Sequence, residues 1–295
     1  MRVHENSNRF SWNSESEFRR QVINEISPFI EKVSDNWTIA WCAGSGHFGA
    51  SRDDLQLEQT HFASFVDTIA NLVPKNKMPL GRLVFASSAG AVYSGTNDID
   101  VDESSSCVPL SPYGEVKISQ ELKLEEVANS IGLPTICARI STVYGPKQNI
   151  NKPQGILSRL CVAMVKRKPM PIFVGLETSR NYIYSADVGL ILTRLAILPD
   201  ELVGLSESAF SVKNVVSPFN LTIAQLLKGA EAVFKRRPQV ALRIDERSAN
   251  YQSQFNIRSV VMPEVDRILF TPLEVGLDQV RLAIMRELQR GKLAV

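Results

Sequence analysis

The sequence predicts an α/β fold: a doubly wound parallel sheet followed by a smaller, mostly helical lobe. Three observations predict it. TIAWCA (38–43), RLVFASS (82–88) and PTICARIS (134–141) are apolar on consecutive residues, the pattern of strands buried on both faces. Stretches of helical periodicity lie between them, and alternating β and α with right-handed crossovers builds such a sheet. After YGP (144–146) the texture changes, with Pro153, Pro169 and Pro171 surrounding short helical patterns.

The elements follow in order. Glu17 to Val33 carries Phe18, Val22, Ile26, Phe29 and Ile30 at helical spacing, with a kink expected at Pro28. The first apolar strand comes next, then a helix over 55–72 with Leu55, Phe62, Phe65, Val66 and Ile69 on one stripe. The second strand ends in Ser87 and Ser88. A helix over 113–130 follows, begun by the cap Ser111 and by Pro112 and striped by Ile118, Leu122, Leu124 and Val127. ARISTVYGP (138–146) supplies the next strand and its loop. The later helices are ILSRLCVAMVKR (156–167), SADVGLILTRLAIL (185–198), NLTIAQLLKGAEAVFKRR (220–237) and a last one striped by Leu277, Val280, Ile284 and Leu288. The division expected is a nucleotide-binding unit over 1–146, to which 181–205 returns, and a substrate-binding lobe over 147–295.

Composition narrows the classes. Hydrophobic residues make up 44% and the formal net charge is +2, enough apolar material for a core and too little charge for nucleic acid. No window approaches the ~18 apolar residues that a membrane span needs, and MRVHENSNRFSW is no signal peptide. A soluble, cytoplasmic protein is expected. Cys42, Cys107, Cys137 and Cys161 lie far apart, and His4, His47 and His61 have no ligand spacing, so no metal site is read. The combination of His47, Ser51 and Asp53 matches a hydrolase triad only in composition.

The chemistry centres on SPYGEVK (111–117). Tyr113 and Lys117 are four apart on one helical face and are therefore neighbours. A cation beside a phenol favours the phenolate, so Tyr113 is expected to titrate below the ordinary value of about 10 and to serve as a general base. Ser87 and Ser88 end a buried strand, and ligands of open α/β sheets bind beyond the carboxyl ends of strands.

The run LVFASSAGAVY, SPYGEVKISQE, ARISTVYGPKQN and RNYIYSADV resembles the extended short-chain dehydrogenase/reductase family, and more narrowly its nucleotide-sugar epimerase/dehydratase group, over roughly residues 15–290. The resemblance implies a Rossmann-like sheet and a bound NAD, with NADP open. It implies Tyr113 as acid/base, Lys117 on the nicotinamide ribose, and Ser88 on the substrate hydroxyl, with Ser87 the near alternative. It places Ala43, Gly44, Ser45, Ser87 and Ile140 beside the cofactor. Thr142, Arg180 and either Arg247 or Arg258 would meet the nucleotide sugar. Where dehydratases of the group carry Asp-Glu, this chain has Ala89, Gly90 and Ala91, which favours epimerisation or keto reduction over loss of water. The group also pairs the helices equivalent to 55–72 and 113–130, implying a homodimer. The acidic loop SGTNDIDVDESSSCVPL is expected to be merely solvated.

By the family's register TIAWCAG is its fourth strand. The phosphate-binding fingerprint Gly44-x-Gly46-x-x-Gly49 is then a coincidental match, and the acidic residue such a fingerprint needs ~20 residues on falls inside a helix. NRFSW (8–12) is expected to be the third strand. The first strand, its glycine turn, the first helix and the second strand have no counterpart. The expectations are a fragment or misassigned start, a degenerate relative that acts as a binding scaffold without turnover, or another segment filling the gap. The strand at 37–43 would be left with an open edge.

Overall fold

The computed structural model describes residues 10–44, 46–149, 155–243 and 254–291. Its centre is a four-stranded parallel sheet of β1 (Trp37–Trp41), β2 (Gly81–Ser88), β4 (Thr135–Ile140) and β8 (Phe210–Val215), in the order β1-β2-β4-β8. The short β3 (Asp100–Val101) lies outside it.

Alternation along the strands sorts side chains between two faces. Leu83, Phe85 and Cys137 point to one face, against α1 (Glu15–Lys32), α2 (Arg52–Leu72) and α4 (Pro112–Ile131). Phe18, Val22 and Ile30 of α1, Phe62, Phe65, Val66 and Ile69 of α2 and Leu124 of α4 complete that layer. Val84, Ile136 and Ala138 point the other way, against Val188, Ile191 and Leu195 of α6 (Ser185–Ile197). The one-turn α3 (Ala89–Val92) continues directly from β2.

A separate core holds the lobe. It joins α5 (Ile156–Lys166), α7 (Ile223–Phe234) and α8 (Leu273–Gln289) through Leu157, Leu160, Leu226, Leu277 and Ile284. The strands β5 (Thr142–Tyr144), β7 (Ser179–Tyr184) and β9 (Asn220–Thr222) form a small sheet that leads from the large one into it. Two further short pairs join β6 (Met170–Ile172) to β10 (Val240–Leu242) and β3 to β11 (Asn256–Ile257).

Each helix begins where local chemistry satisfies its free amides. Ser14, Ser51 and Ser111 accept from Glu17, Asp54 and Gly114 at the starts of α1, α2 and α4. Thr222 and Gln225 form a reciprocal capping box on α7. Helix α1 runs continuously through Pro28. No helix among the described residues is long and apolar enough to cross a membrane.

Two expectations change, and one sheet strand goes unread in the sequence. Residues 10–12 form no strand; Phe10 and Trp12 instead turn their rings onto Phe18, at 5.7 and 5.4 Å, because a large aromatic pair gains more by capping α1 than by alternating on an edge. Residues 8 and 9 lie outside the described residues. The fourth sheet strand is FSVKNV (210–215), which no apolar run marks because Lys213 and Asn214 are fully buried within it. The acidic loop is not merely solvated: Glu103 accepts from the backbone of Asn214 at 2.8 Å and of Val260 at 2.9 Å, fastening the loop to the sheet edge. Among the described residues β1 pairs with β2 alone, so β1 is the other edge.

The ammonium of Lys213 is wholly enclosed and bonded to Ser259 Oγ at 2.6 Å, Val261 O at 2.8 Å and Asp266 Oδ2 at 2.5 Å. Removing one partner of a buried pair strands the other charge. Lys213→Ala is expected to destabilise the fold by about 3–5 kcal/mol. Lys123→Ala, which breaks the exposed pair with Asp67, should cost under about 1 kcal/mol. Urea unfolding checks both, and equal costs would contradict the reading.

Candidate active site

Strand β2 delivers two adjacent serines to opposite tasks. Ser87 is buried and donates to Glu121 Oε1 at 2.5 Å. Glu121 is held by Arg139, whose Nε and Nη2 reach Oε2 at 3.0 and 2.7 Å. Arg139 Nη1 also donates to the Tyr93 hydroxyl at 2.6 Å, and Tyr93 lies 3.3 Å from Asn214 Oδ1. This chain of polar groups runs across β2, β4 and β8 beneath α4. It consumes the Ser87 hydroxyl, so Ser87 does not share the position of Ser88.

Ser88, one residue on, points the other way along the pleat. It is half-buried, at the mouth of the strand, and its hydroxyl side chain lies close enough to the Tyr113 phenol to lower its pKa. Ile140 stands beside it in register. Tyr113 is reached through the start of α4, where Ser111 caps the helix and Pro112 fixes its first turn. Gly114 permits the close approach: a Cβ there would lie 2.6 Å from the Ala91 carbonyl.

Lys117 follows one turn later and is buried. Its ammonium sits 3.0 Å from Gln120 Oε1 and 3.5 Å from Glu58 Oε1, 5.0 Å from the centre of the Phe85 ring and 5.7 Å from that of Tyr113. Glu58 comes from α2, is itself buried, and accepts from the Gly46 amide at 2.7 Å. The loop after β1 is therefore folded onto the carboxylate. A Cβ at Gly44, whose φ is +139°, would lie 2.8 Å from Glu58, and one at Gly46 would lie 3.2 Å from the Tyr113 ring.

This geometry reverses one expectation. Tyr113 was expected to be acidified by Lys117. Burial instead pushes its pKa up to about 12, Ser88 draws it partly back, and the Glu58 carboxylate pushes it up again. Burial is the largest cause, and Lys117 for its part is paired with Glu58 at 3.5 Å. Burial lowers the pKa of Lys117, and Glu58 opposes that shift.

The other predicted residues lie around this cluster. Ala43 and Gly44 are exposed at the end of β1; Ser45 is outside the described residues. Thr142 is exposed at the start of β5, in register with Tyr182, two residues along β7 from Arg180. Arg180 donates to the Ser179 carbonyl at 2.6 Å and lies 5.8 Å from the Phe255 ring centre. Arg258 is exposed and pairs with Asp102 at 3.2 Å; Arg247 is outside the described residues. The structure thus joins Ser88, Tyr113 and Lys117 in one cluster and sets Thr142 and Arg180 on the small sheet beside it. Two clefts, of about 290 Å³ between α1 and α2 and about 390 Å³ between α4 and β8, have no Ser88, Tyr113 or Lys117 in their walls.

The glycine fingerprint is closed to phosphate. Its Gly46 amide is taken by Glu58, and α2 begins with a Ser51 cap and the acidic pair Asp53 and Asp54. A helix N-terminus already capped and carrying two carboxylates in its first turn does not attract an anion. His47 accepts from Gly49 at 3.1 Å, and His61 is buried with Nδ1 2.7 Å from the Leu57 carbonyl, its ring against Phe18. Among the described residues no group of three His, Cys, Asp or Glu side chains is placed to hold a metal.

Sequence reasoning missed Glu58, Glu121 and Arg139. The signal was present for the first two: Glu58 falls between Leu55 and Phe62 on the buried stripe of α2, and Glu121 between Lys117 and Leu124 on that of α4.

Comparison with known proteins bears on the cluster. Residues 6–203 match the model of the NAD dependent epimerase/dehydratase family. The chain is 38% identical over 104 residues to the uncharacterized UDP-glucose epimerase YtcB of Bacillus subtilis, covering 35% of this chain and 31% of that protein. It is 33% identical over 107 residues to dTDP-4-dehydro-6-deoxyglucose reductase of Escherichia coli, covering 36% and 34%. The matched stretches thus span about a third of these relatives' own lengths. UDP-glucose 4-epimerase of Thermotoga maritima, solved with UDP-glucose, shares the fold with a TM-score of 0.70 at 19% identity, over 90% of this chain and 82% of that one.

Glu121→Ala is expected to cost about 3–5 kcal/mol, since it leaves Arg139 enclosed without its carboxylate. Ser87→Ala, which removes one hydrogen bond to a charged group, should cost about 1.5–3 kcal/mol. Urea midpoints check the order, and a Ser87 variant less stable than the Glu121 variant would contradict the network.

Proposed function

The chain belongs to the NAD dependent epimerase/dehydratase family, and from that premise we propose that it is an NAD-dependent epimerase or ketoreductase of nucleotide-linked sugars. The observation that carries the proposal is the meeting of Ser88, Tyr113 and Lys117 at the carboxyl ends of β2 and β4. Neighbouring folds include UDP-glucuronic acid 4-epimerase of Bacillus cereus, solved with NAD.

The residues present fit the nicotinamide ribose end of such a cofactor. A ribose diol needs donors and acceptors together, and Lys117, Tyr113 and Glu58 offer both. The described residues near β1 do not fit the pyrophosphate, because the Gly46 amide and the start of α2 are already occupied. The cofactor, when bound, accepts and returns a hydride. The chain's own groups handle the proton. The Tyr113 hydroxyl exchanges it with the sugar oxygen, Ser88 holds that oxygen by a second hydrogen bond, and Lys117 fixes the ribose against the phenol. Thr142, Arg180 and Arg258 are proposed to meet the diphosphate and sugar. Ala89 and Ala91 are buried and Gly90 bears no side chain, so no carboxyl group stands there to expel water. That favours epimerisation or keto reduction over dehydration. A homodimer through α2 and α4 accompanies the proposal, since Leu57 and Leu122 are exposed on these helices.

One observation favours a second reading, a binding scaffold without turnover: the loop that would approach the cofactor is folded onto Glu58. Activity separates the two. Assayed with NAD and a panel of UDP- and dTDP-linked hexoses and ketohexoses, the chain should interconvert or reduce at least one. Tyr113→Phe should lower that rate about 10²-fold or more. Near-normal turnover in Tyr113→Phe would remove Tyr113 from the role, and no turnover with any sugar would favour the scaffold.

A further inference from the structure

Charge is unevenly spread along the chain. The formal net charge is +2, yet residues 155–172 and 223–243 together hold nine Lys and Arg and one acidic residue, Glu231. The fold gathers the densest part of that excess in one place. Helix α5 runs out through Lys166, Arg167 and Lys168 to Pro169 and β6, and α7 runs out through Lys235, Arg236 and Arg237 to Pro238 and β10. Strands β6 and β10 pair in parallel, with Met170 opposite Val240, and the Met170 amide donates to the Gln239 carbonyl at 2.9 Å. Paired strands lie about 5 Å apart, so the two basic turns enter the pair side by side. Arg167, Lys168, Lys235 and Arg237 are exposed, and Lys166 and Arg236 are half-buried. Among the described residues these six make one ion pair, Arg237 with Glu231 at 3.4 Å.

Helix stability does not call for this arrangement. One cation beside the last carbonyls of a helix is favourable, but three on each of two neighbouring turns repel one another. Both turns are also left-handed at a residue that bears a side chain: φ is +53° at Arg167 and +55° at Lys235, a conformation glycine adopts without the steric penalty. The six cations line neither of the clefts described above. A small anion is held by fixed donors in a concave site, whereas exposed, mobile cations suit an extended anionic surface. The turns carry no aromatic ring on which nucleic-acid bases would stack. The far ends of the same two strands lead to Phe173 and Leu242, 45% and 50% exposed, apolar groups of the kind that enter the boundary between lipid headgroups and acyl chains. We propose that the turns after α5 and α7 form a docking surface for an anionic phospholipid bilayer, with the six cations on the headgroup phosphates. The surface belongs to the lobe, whose core contains none of Ser88, Tyr113 and Lys117, and it stands independently of the function proposed above.

Flotation of the full chain with phospholipid vesicles tests it. At low salt the wild type should bind vesicles of roughly three parts phosphatidylcholine to one part phosphatidylglycerol, stay off pure phosphatidylcholine, and leave the anionic vesicles as added salt screens the charges. The triple variants Lys166→Gln/Arg167→Gln/Lys168→Gln and Lys235→Gln/Arg236→Gln/Arg237→Gln should each lower the partition coefficient about 10²-fold, since one cation at such a surface is worth about fivefold. Arg19→Gln/Arg20→Gln/Lys75→Gln removes the same charge from exposed positions on α1 and after α2, and should bind as the wild type does. A loss in this control equal to that in the other two overturns the proposal, as does wild-type binding to neutral vesicles or binding that salt leaves unchanged. Binding to duplex DNA without binding to the anionic vesicles also overturns it. Where one triple variant does not fold by circular dichroism, the other still decides, and a wild type that fails to bind the anionic vesicles overturns the proposal whatever the variants do.

Discussion

A buried ammonium must be matched, and in this chain the matching of Lys117 by Glu58 organises the surroundings of Tyr113. Enclosing a charge in a protein interior is costly unless a partner and further hydrogen bonds accompany it. Glu58 supplies the partner from α2, Gln120 the further bond from α4, and Gly46 pins the carboxylate from the loop. One ion pair therefore ties together two helices and the connection after β1, all on the same face of the sheet. The parallel network of Ser87, Glu121, Arg139 and Tyr93 does the same one strand further on. Between them the two networks leave Ser88 and Tyr113 beside each other at the strand mouth.

The architecture was legible wherever burial produced a continuous pattern. The strands at β1, β2 and β4 were marked by consecutive apolar residues, and α4 by its Ser-Pro start, although Leu122 of its expected stripe is exposed and its buried face carries Lys117, Gln120 and Glu121. Ser88, Tyr113 and Lys117 were legible because strand ends and one helical turn fix their relative places. What escaped reading was polar and buried. Lys213 and Asn214 interrupt β8, and their partners come from residues 258–266, far along the chain. Glu103 looked solvated within an acidic run, but its partners at 214 and 260 cannot be inferred locally. Lys117 was visible beside Tyr113, yet its pairing with Glu58, which lies 59 positions away, was not.

Family membership is shown by the match over residues 6–203, while the buried carboxylate is a feature of this chain's own site. The loop after β1 belongs to the same arrangement, since its Gly46 amide holds Glu58.

The central claim is that Lys117 and Tyr113 form the nicotinamide-facing end of a cofactor site. Calorimetric titration of NADH into the full chain, repeated on Lys117→Met, tests it most directly. The account predicts micromolar binding by the wild type that weakens at least about tenfold in the variant, the loss of one hydrogen bond to a charged group. A folded wild type that takes up no NADH, or a variant that binds as tightly as the wild type, would contradict it.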